Sequence, residues 1–381
     1  MMSRDNTIKF FFTLVRAGLF PVHDEGNSDI RIDGTTDWNY IYQLAQEQSV
    51  QGIVLCGIEE LRAKGLELSV PKVLLLQWIG EVQMIEQRNK EMNAFVANLI
   101  EKLRRNDIYA ILVKGQGIAQ CYEKILWRSS GDVDLFLSDD NYQKAKELLL
   151  PLGKITEPEE VAKKHFAMDI DGWAVELHGT LKSGLSSRVD KVLDRLQEDT
   201  FYDGQVRLWT NGQTQIFLLK AENDAFYVFT HILQHFYKEG VGLRQICDWC
   251  RLMWTYRDSL NYGLLEKRIR RAGLMSEWKA FYNLASRYLG MPDLGSGLMV
   301  HDSRYDKKAD RIMEFILKSG NMGHNRDMSH FSKYPYLIRK CVSMGRRIGD
   351  LINHARIFPM DSLRFFPRIM WNGIRSAIRG E

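Results

Sequence analysis

The chain has 381 residues, 45% of them hydrophobic and 26% charged, proportions of an ordinary globular protein that exclude a disordered or collagen-like chain. Its formal net charge of +4 is too even for whole-protein charge to argue for nucleic acid. Five cysteines in this length do not make a disulfide framework.

No run of about 18 uncharged apolar residues occurs to span a membrane. Lys9 and Arg16 bracket the apolar patch from Phe10 to Val15 too tightly for a signal peptide. These features point to a soluble protein of a reducing cytoplasm. Residues 1–105 read as an N-terminal helical region. Its clearest element lies between Arg88 and Arg105, where Met92, Phe95, Val96, Leu99, Ile100 and Leu103 recur at helical spacing.

Residues 106–215 change character. Ile108 to Val113 is a short β-rich run closed by Lys114-Gly115, Ile118 to Tyr122 reads as helix, and Val133 to Leu137 as a second strand. Asp139, Asp140 and Asn141 offer an N-cap to a helix whose apolar face is Ala145, Leu148, Leu149 and Leu152. Asp171-Gly172 is a hairpin turn signal between Phe166–Ile170 and Trp173–Leu177. On the second of these strands Trp173, Val175 and Leu177 alternate with Ala174, Glu176 and His178, so Glu176 faces away from its apolar neighbours.

From Ile216 to Leu289 the pattern returns to aromatic-rich helices, and residues 216–290 read as a helical domain packing on the core. Cys247 and Cys250 fall there as a lone CxxC without a second pair, the pattern of buried structural thiols and not of a zinc site. His231 and His235 lie one turn apart, as do Arg244 and Asp248. The histidines are expected to pack against the sheet and the second pair to form a salt bridge, with lining of a substrate cleft between domains as the second reading for all four. Residues 291–381 read as a linker and a basic helical tail. From Phe331 onward ten Lys/Arg face only Asp350, Asp361 and Glu381. Leu363, Phe366, Met370, Ile374 and Ile378 make one stripe, with Arg364, Arg368, Arg375 and Arg379 around it. Such a helix can lie on an anionic membrane or track nucleic-acid phosphates, but docking on the body through its apolar stripe is the favoured reading.

The segment that carries chemistry is Arg128-Ser-Ser-Gly-Asp-Val-Asp-Leu-Phe-Leu137. Asp132 and Asp134, one residue apart on a strand, project from the same face. Carboxylates held side by side repel unless a cation lies between them, and Mg2+ (or Mn2+) takes oxygen ligands while leaving room for phosphates. Glu176, on a neighbouring strand, is the candidate third carboxylate of such a metal site. His178 shares its face and is read as holding Glu176 in place.

Ile111-Leu-Val-Lys-Gly-Gln-Gly-Ile-Ala119, Tyr122, Arg128, Gly131-Asp-Val-Asp-Leu135, Val175-Glu-Leu-His-Gly179, His231, His235 and Leu243-Arg-Gln-Ile-Cys-Asp248, in this order, resemble the uncharacterised nucleotidyltransferase family related to DNA polymerase beta. The resemblance implies an α+β fold: a small mixed β-sheet nucleotidyltransferase core flanked by helices, with helical regions at both ends. It further implies that Asp132, Asp134 and Glu176 are catalytic metal ligands and that NTP is a substrate. Glu176 would then bind the metal near the acceptor and help deprotonate it. The wider superfamily has Gly-Ser or Gly-Gly before the acidic pair, whereas this chain has Lys114-Gly115-Gln116-Gly117. Backbone amides at Gly115 and Gly117, with Lys114 and Arg128, are the expected phosphate-binding groups. The reading is therefore a metal-dependent nucleotidyltransferase with an unidentified small-molecule or protein acceptor. The alternatives are a silent nucleotide-binding or assembly scaffold of the same fold and an RNA-modifying enzyme.

Overall fold

The computed structural model describes residues 4–20, 36–161, 164–204, 206–238, 240–321, 345 and 348–379. Four helices come first: α1 (Arg4–Leu19), α2 (Trp38–Glu47), α3 (Gln51–Ala63) and α4 (Lys72–Arg104). The backbones of α1 and α3 meet at glycines. A Cβ on Gly57 would stand 1.9 Å from the Leu14 carbonyl oxygen, and one on Gly18 would stand 2.0 Å from that of Ile53.

The sheet follows, with strands β1 (Ala110–Val113), β2 (Val133–Leu137), β3 (Lys154–Glu160), β4 (His165–Ile170), β5 (Trp173–His178), β6 (Val206–Asn211) and β7 (Thr214–Leu219). They form one seven-stranded mixed sheet in the order β3-β4-β5-β2-β1-β7-β6. Helices α5 (Gly115–Ala119), α6 (Asp139–Leu149) and α7 (Ser187–Phe201) interrupt the strands. With helices on both sides in sequence, the chain is α+β, as the pattern predicts. Strand β2 runs antiparallel to β1 and parallel to β5.

Side-chain alternation gives the sheet two different faces. Leu112, Val133, Leu135, Val175 and Leu177 point to one side, where Val96, Leu99 and Leu103 of α4 and Tyr142 and Leu149 of α6 cover them. Asp134 and Glu176 occupy the alternate positions and so face the other side. There the larger core joins Ile111, Val113 and Phe136 to the helices that follow the sheet: α8 (Ala221–Lys238), α9 (Leu243–Thr255), α10 (Tyr262–Ala272), α11 (Met275–Leu289) and α12 (Asp306–Ser319). The N-terminal helices share this core through Phe11, Leu14 and Val54.

Three local expectations change. Ile216 to Leu219 belongs to β7, parallel to β1, and the helical run starts only at Ala221. A short unbroken apolar run such as Ile216 to Leu219 cannot be told from a helix segment by periodicity alone. Ser138 takes the N-cap position of α6, while Asp139 and Asp140 stand in its first turn, where negative charge complements the helix dipole. The tail forms a helix, Pro359–Arg379, but Leu363 is 69% exposed while Phe365 and Ser362 are buried. The docked face thus runs through Phe365, whose ring meets Tyr237 edge-on, and Arg368 pairs with Asp190 at 2.9 Å. Lys333, Arg339, Lys340, Cys341, Arg346 and Arg347 lie outside the described residues, as do the side chains of Ile374, Arg375, Ile378 and Arg379.

Cys56, Cys121, Cys247 and Cys250 are buried free thiols, and burial pushes those of Cys247 and Cys250 up. No described helix is long and apolar enough to cross a membrane.

Candidate active site

A cavity of about 330 Å³ opens where the ends of β2 and β5 face helices α8 and α9. Lys114, Gly115, Asp132, Asp134, His165, Glu176 and His178 line it from the sheet side, Tyr227, His231 and His235 from α8, and Arg244 and Asp248 from α9. The parallel pairing of β2 with β5 sets Asp134 opposite Glu176. Carboxylate oxygens of Asp132, Asp134 and Glu176 come within 4.8 Å of one another. The trio expected from the sequence is therefore brought together, by two buried strands and the turn that precedes one of them.

Asp134 is the deepest member, its side chain 1% exposed. Its Oδ1 lies 2.7 Å from Lys114 Nζ and 2.8 Å from His178 Nε2. Its Oδ2 is buried with no hydrogen-bond partner among the described residues. An orphaned buried carboxylate oxygen beside two further acids is a donor set that fits a hard divalent cation. The charges constrain one another. Asp134 and burial push the Asp132 carboxyl up from its ordinary value, while Lys114 pulls it back. Burial also opposes the Lys114 ammonium, but Asp134, Asp132 and Glu176 outweigh it and hold its pKa above the ordinary lysine value. Burial would raise Glu176, yet hydrogen bonds to His165 and His178 and the charge of Lys114 hold it far below the usual carboxylate range.

Lys114 carries a further mark. Its backbone sits at φ 59° and ψ −144°, a region that side-chain-bearing residues avoid at a cost of about 1–3 kcal/mol. The strain turns the chain out of β1 into α5 and leaves the ammonium over Asp134. Gly115 follows at φ 41° and lines the cavity, whereas Gly117 does not: a Cβ there would stand 2.8 Å from Leu218 Cδ2. Gly117 therefore serves the packing of α5 on β7.

Arg128 departs from its expected phosphate role. Its Nε and Nη2 donate to Asp248 Oδ1 and Oδ2, both at 2.7 Å, and Tyr122 Oη adds a 2.8 Å bond to Oδ1. The guanidinium fork that a phosphate would need is thus occupied. It ties the segment before Asp132 to α9. The expected Arg244–Asp248 pair is not formed. Arg244 Nη1 instead donates to the Ser129 carbonyl at 3.1 Å, and its Nε is buried without a partner among the described residues.

Two histidine pairs complete the lining. His165 Nε2 lies 3.1 Å from Glu176 Oε2, and His178 Nε2 lies 3.4 Å from the same oxygen. Burial opposes the charged form of His178, but Asp134 and Glu176 raise its pKa above the ordinary value. His231 and His235 face each other across 3.0 Å between their Nε2 atoms. Burial, with Lys114 and His235 adding to it, pushes His231 well down, so it is neutral. His231, His235, Arg244 and Asp248, for which cleft lining was the second reading, all line the cavity, whereas His165 was not singled out for the site from the sequence. The signal for His165 was present, because a two-residue turn at Asp171-Gly172 pairs His165 with His178 and puts it on the face of Glu176.

The profile of a family described as uncharacterised nucleotidyltransferase matches residues 34–290, which takes in helices α2 to α4, the sheet with the helices between its strands, and helices α8 to α11, and leaves out α1. No curated protein and no solved structure matches the chain.

Proposed function

The chain belongs to the uncharacterised nucleotidyltransferase family, and from that premise we propose that it moves a nucleoside monophosphate from an NTP to an acceptor hydroxyl or phosphate. The acceptor oxygen attacks the α-phosphorus, the bond to the bridging oxygen of the β-phosphate breaks, and pyrophosphate leaves. The observation that supports this reading is the convergence of Asp132, Asp134 and Glu176 within 4.8 Å at the mouth of a cavity. Bound there, Mg2+ or Mn2+ would neutralise phosphate charge and orient the reacting oxygens.

The chain's own residues then divide the remaining work. Glu176, whose hydrogen bonds to His165 and His178 favour its ionised form, would hold the metal beside the acceptor and help to take up the acceptor's proton. Arg244, with an unpartnered Nε and no ion pair among the described residues, replaces Arg128 as the cation for the NTP phosphates. Lys114 and the Gly115 amide line the same cavity and would complete the phosphate contacts. Positioning and charge neutralisation supply most of the rate, because phosphoryl-type transfer asks little covalent work of the protein.

The test incubates the purified chain with each of the four NTPs and Mg2+ or Mn2+ and follows pyrophosphate release and nucleotide transfer to protein or cell extract by mass spectrometry. The Asp132→Asn/Asp134→Asn variant is expected to abolish metal-dependent NTP consumption. Equal turnover in that variant overturns the proposal, and nucleotide binding without any turnover points to a scaffold of the same fold.

A further inference from the structure

The pairing of β4 with β5 builds a second cluster that shares one member with the carboxylate trio. His165 and His178 are cross-strand partners, with ring centroids 4.9 Å apart. Their Nε2 atoms stand 3.1 and 3.4 Å from one oxygen, Glu176 Oε2, and the ligand atoms of all three residues fall within 4.8 Å of one another. We infer that His165, His178 and Glu176 form a metal position of their own, with two nitrogens and one oxygen, next to the all-oxygen position of Asp132, Asp134 and Glu176.

The distances carry the argument. Bonds of about 2.0–2.2 Å from a tetrahedral ion to nitrogen or oxygen place neighbouring ligand atoms roughly 3.3–3.5 Å apart. The two nitrogen–oxygen separations here need adjustments of no more than a few tenths of an ångström. The side chains project from adjacent strands of one hairpin, so their spacing is fixed by backbone pairing and not by a loop. They are 22%, 13% and 27% exposed, buried enough to be ordered and still open to the cavity.

The donor types set the ion. Imidazole suits Zn2+ and neighbouring late first-row ions such as Co2+, while Mg2+ and Mn2+ prefer oxygen. The two positions therefore differ in preference, and Glu176, common to both, is placed to bridge them. Binding exchanges the His165 and His178 contacts to Glu176, and the 2.8 Å contact of His178 to Asp134, for nitrogen–metal bonds. Asp134 Oδ1 keeps Lys114 at 2.7 Å when His178 turns its lone pair to an ion. This inference rests on the hairpin's geometry alone and stands whether or not the chain transfers nucleotides.

Its test uses the metal-stripped full chain and Co2+ as the probe, with no nucleotide. Low-temperature electron spin-echo spectra of the Co2+-loaded wild type are expected to show nitrogen modulation from coordinated imidazole. His165→Ala is expected to weaken that modulation and to reduce Co2+ affinity at least about tenfold, the usual effect of disturbing a metal's ligand set. Asp132→Asn is expected to leave nitrogen modulation in place while weakening Mg2+ binding. Absence of nitrogen modulation in the wild type overturns the inference without any variant. Unchanged Co2+ affinity in a folded His165→Ala protein, checked by its melting curve, overturns it as well. Failure of NTP turnover with intact nitrogen modulation would sink the transfer reading and leave this one standing.

Discussion

The Arg128–Asp248 pair gives a sharp test of how the site is held. Replacing Asp248 by Ala leaves a guanidinium 2% exposed with one remaining acceptor, the Ser129 carbonyl at 3.3 Å. It also strands the Tyr122 hydroxyl, which loses its 2.8 Å acceptor. Breaking a buried pair from one side costs about 3–5 kcal/mol, and an unsatisfied buried hydroxyl adds about 1 kcal/mol or more. A total on the order of 5 kcal/mol is comparable with the whole stability of many domains. The double variant Arg128→Met/Asp248→Leu removes both charges. It is expected to recover at least about 2 kcal/mol of that loss, because apolar replacement of a buried pair is often close to neutral. Urea unfolding followed by tryptophan fluorescence and circular dichroism measures both midpoints. If Asp248→Ala costs less than about 1 kcal/mol, or the double variant is the less stable of the two, the bridge is not what ties α9 to the Asp132 segment.

Other expectations follow from the same kind of reasoning. Gly57→Ala drives a methyl group against the Leu14 carbonyl, which the unsubstituted helices hold 1.9 Å from the Cβ position. It is expected to cost about 1–3 kcal/mol, read as a lower melting temperature, and an unchanged melt would mean the helices part freely. Lys114→Met removes a counter-charge from the buried Asp134, although His178 remains at 2.8 Å. The metal-free protein is expected to lose about 2 kcal/mol, and added Mn2+ to recover more of the melt than it does for wild type. A loss equal with and without Mn2+ would refute that compensation. Glu277 is 0% exposed, and burial with the Asp361 carboxylate beside it raises its pKa well above 4.5. Folding therefore favours the neutral acid, while the unfolded chain ionises above 4.5. Stability falls as pH rises from there toward the folded value, by up to about 1.4 kcal/mol per pH unit. Glu277→Gln is expected to flatten this slope in melts between about pH 5 and pH 8, and parallel slopes would show that Glu277 ionises freely.

The elements that the sequence revealed are those with a local signature. Strand β2 covers the residues expected of it, Val133 to Leu137, and the turn at Asp171-Gly172 has φ values of 54° and 82°, the left-handed pair that Asp-Gly accepts most readily. Glu176 was legible as facing away from Val175 and Leu177, because alternation needs no partner to be read. Its meeting with Asp134 was expected from the acid pattern and the family resemblance, but their register was not legible, since a parallel pairing joins residues 42 apart with no turn between them to set it. Arg128 shows the same limit more plainly. A bidentate arginine reads alike whether its partner is a phosphate or a carboxylate, and Asp248 lies 120 residues further along. Strand β7 was hidden because its unbroken apolar run, Ile216 to Leu219, reads as well as the start of a helix, and the docked face of the C-terminal helix because helical spacing fits two overlapping stripes at once.

Lys114 has a consequence for how the acids come to be loaded. A chain that carries its own tethered cation at the crowded spot can complete folding in water that contains no suitable metal. An ion bound at these oxygens would have to compete with that ammonium for Asp134, so what it would gain over Lys114 would grow with its charge.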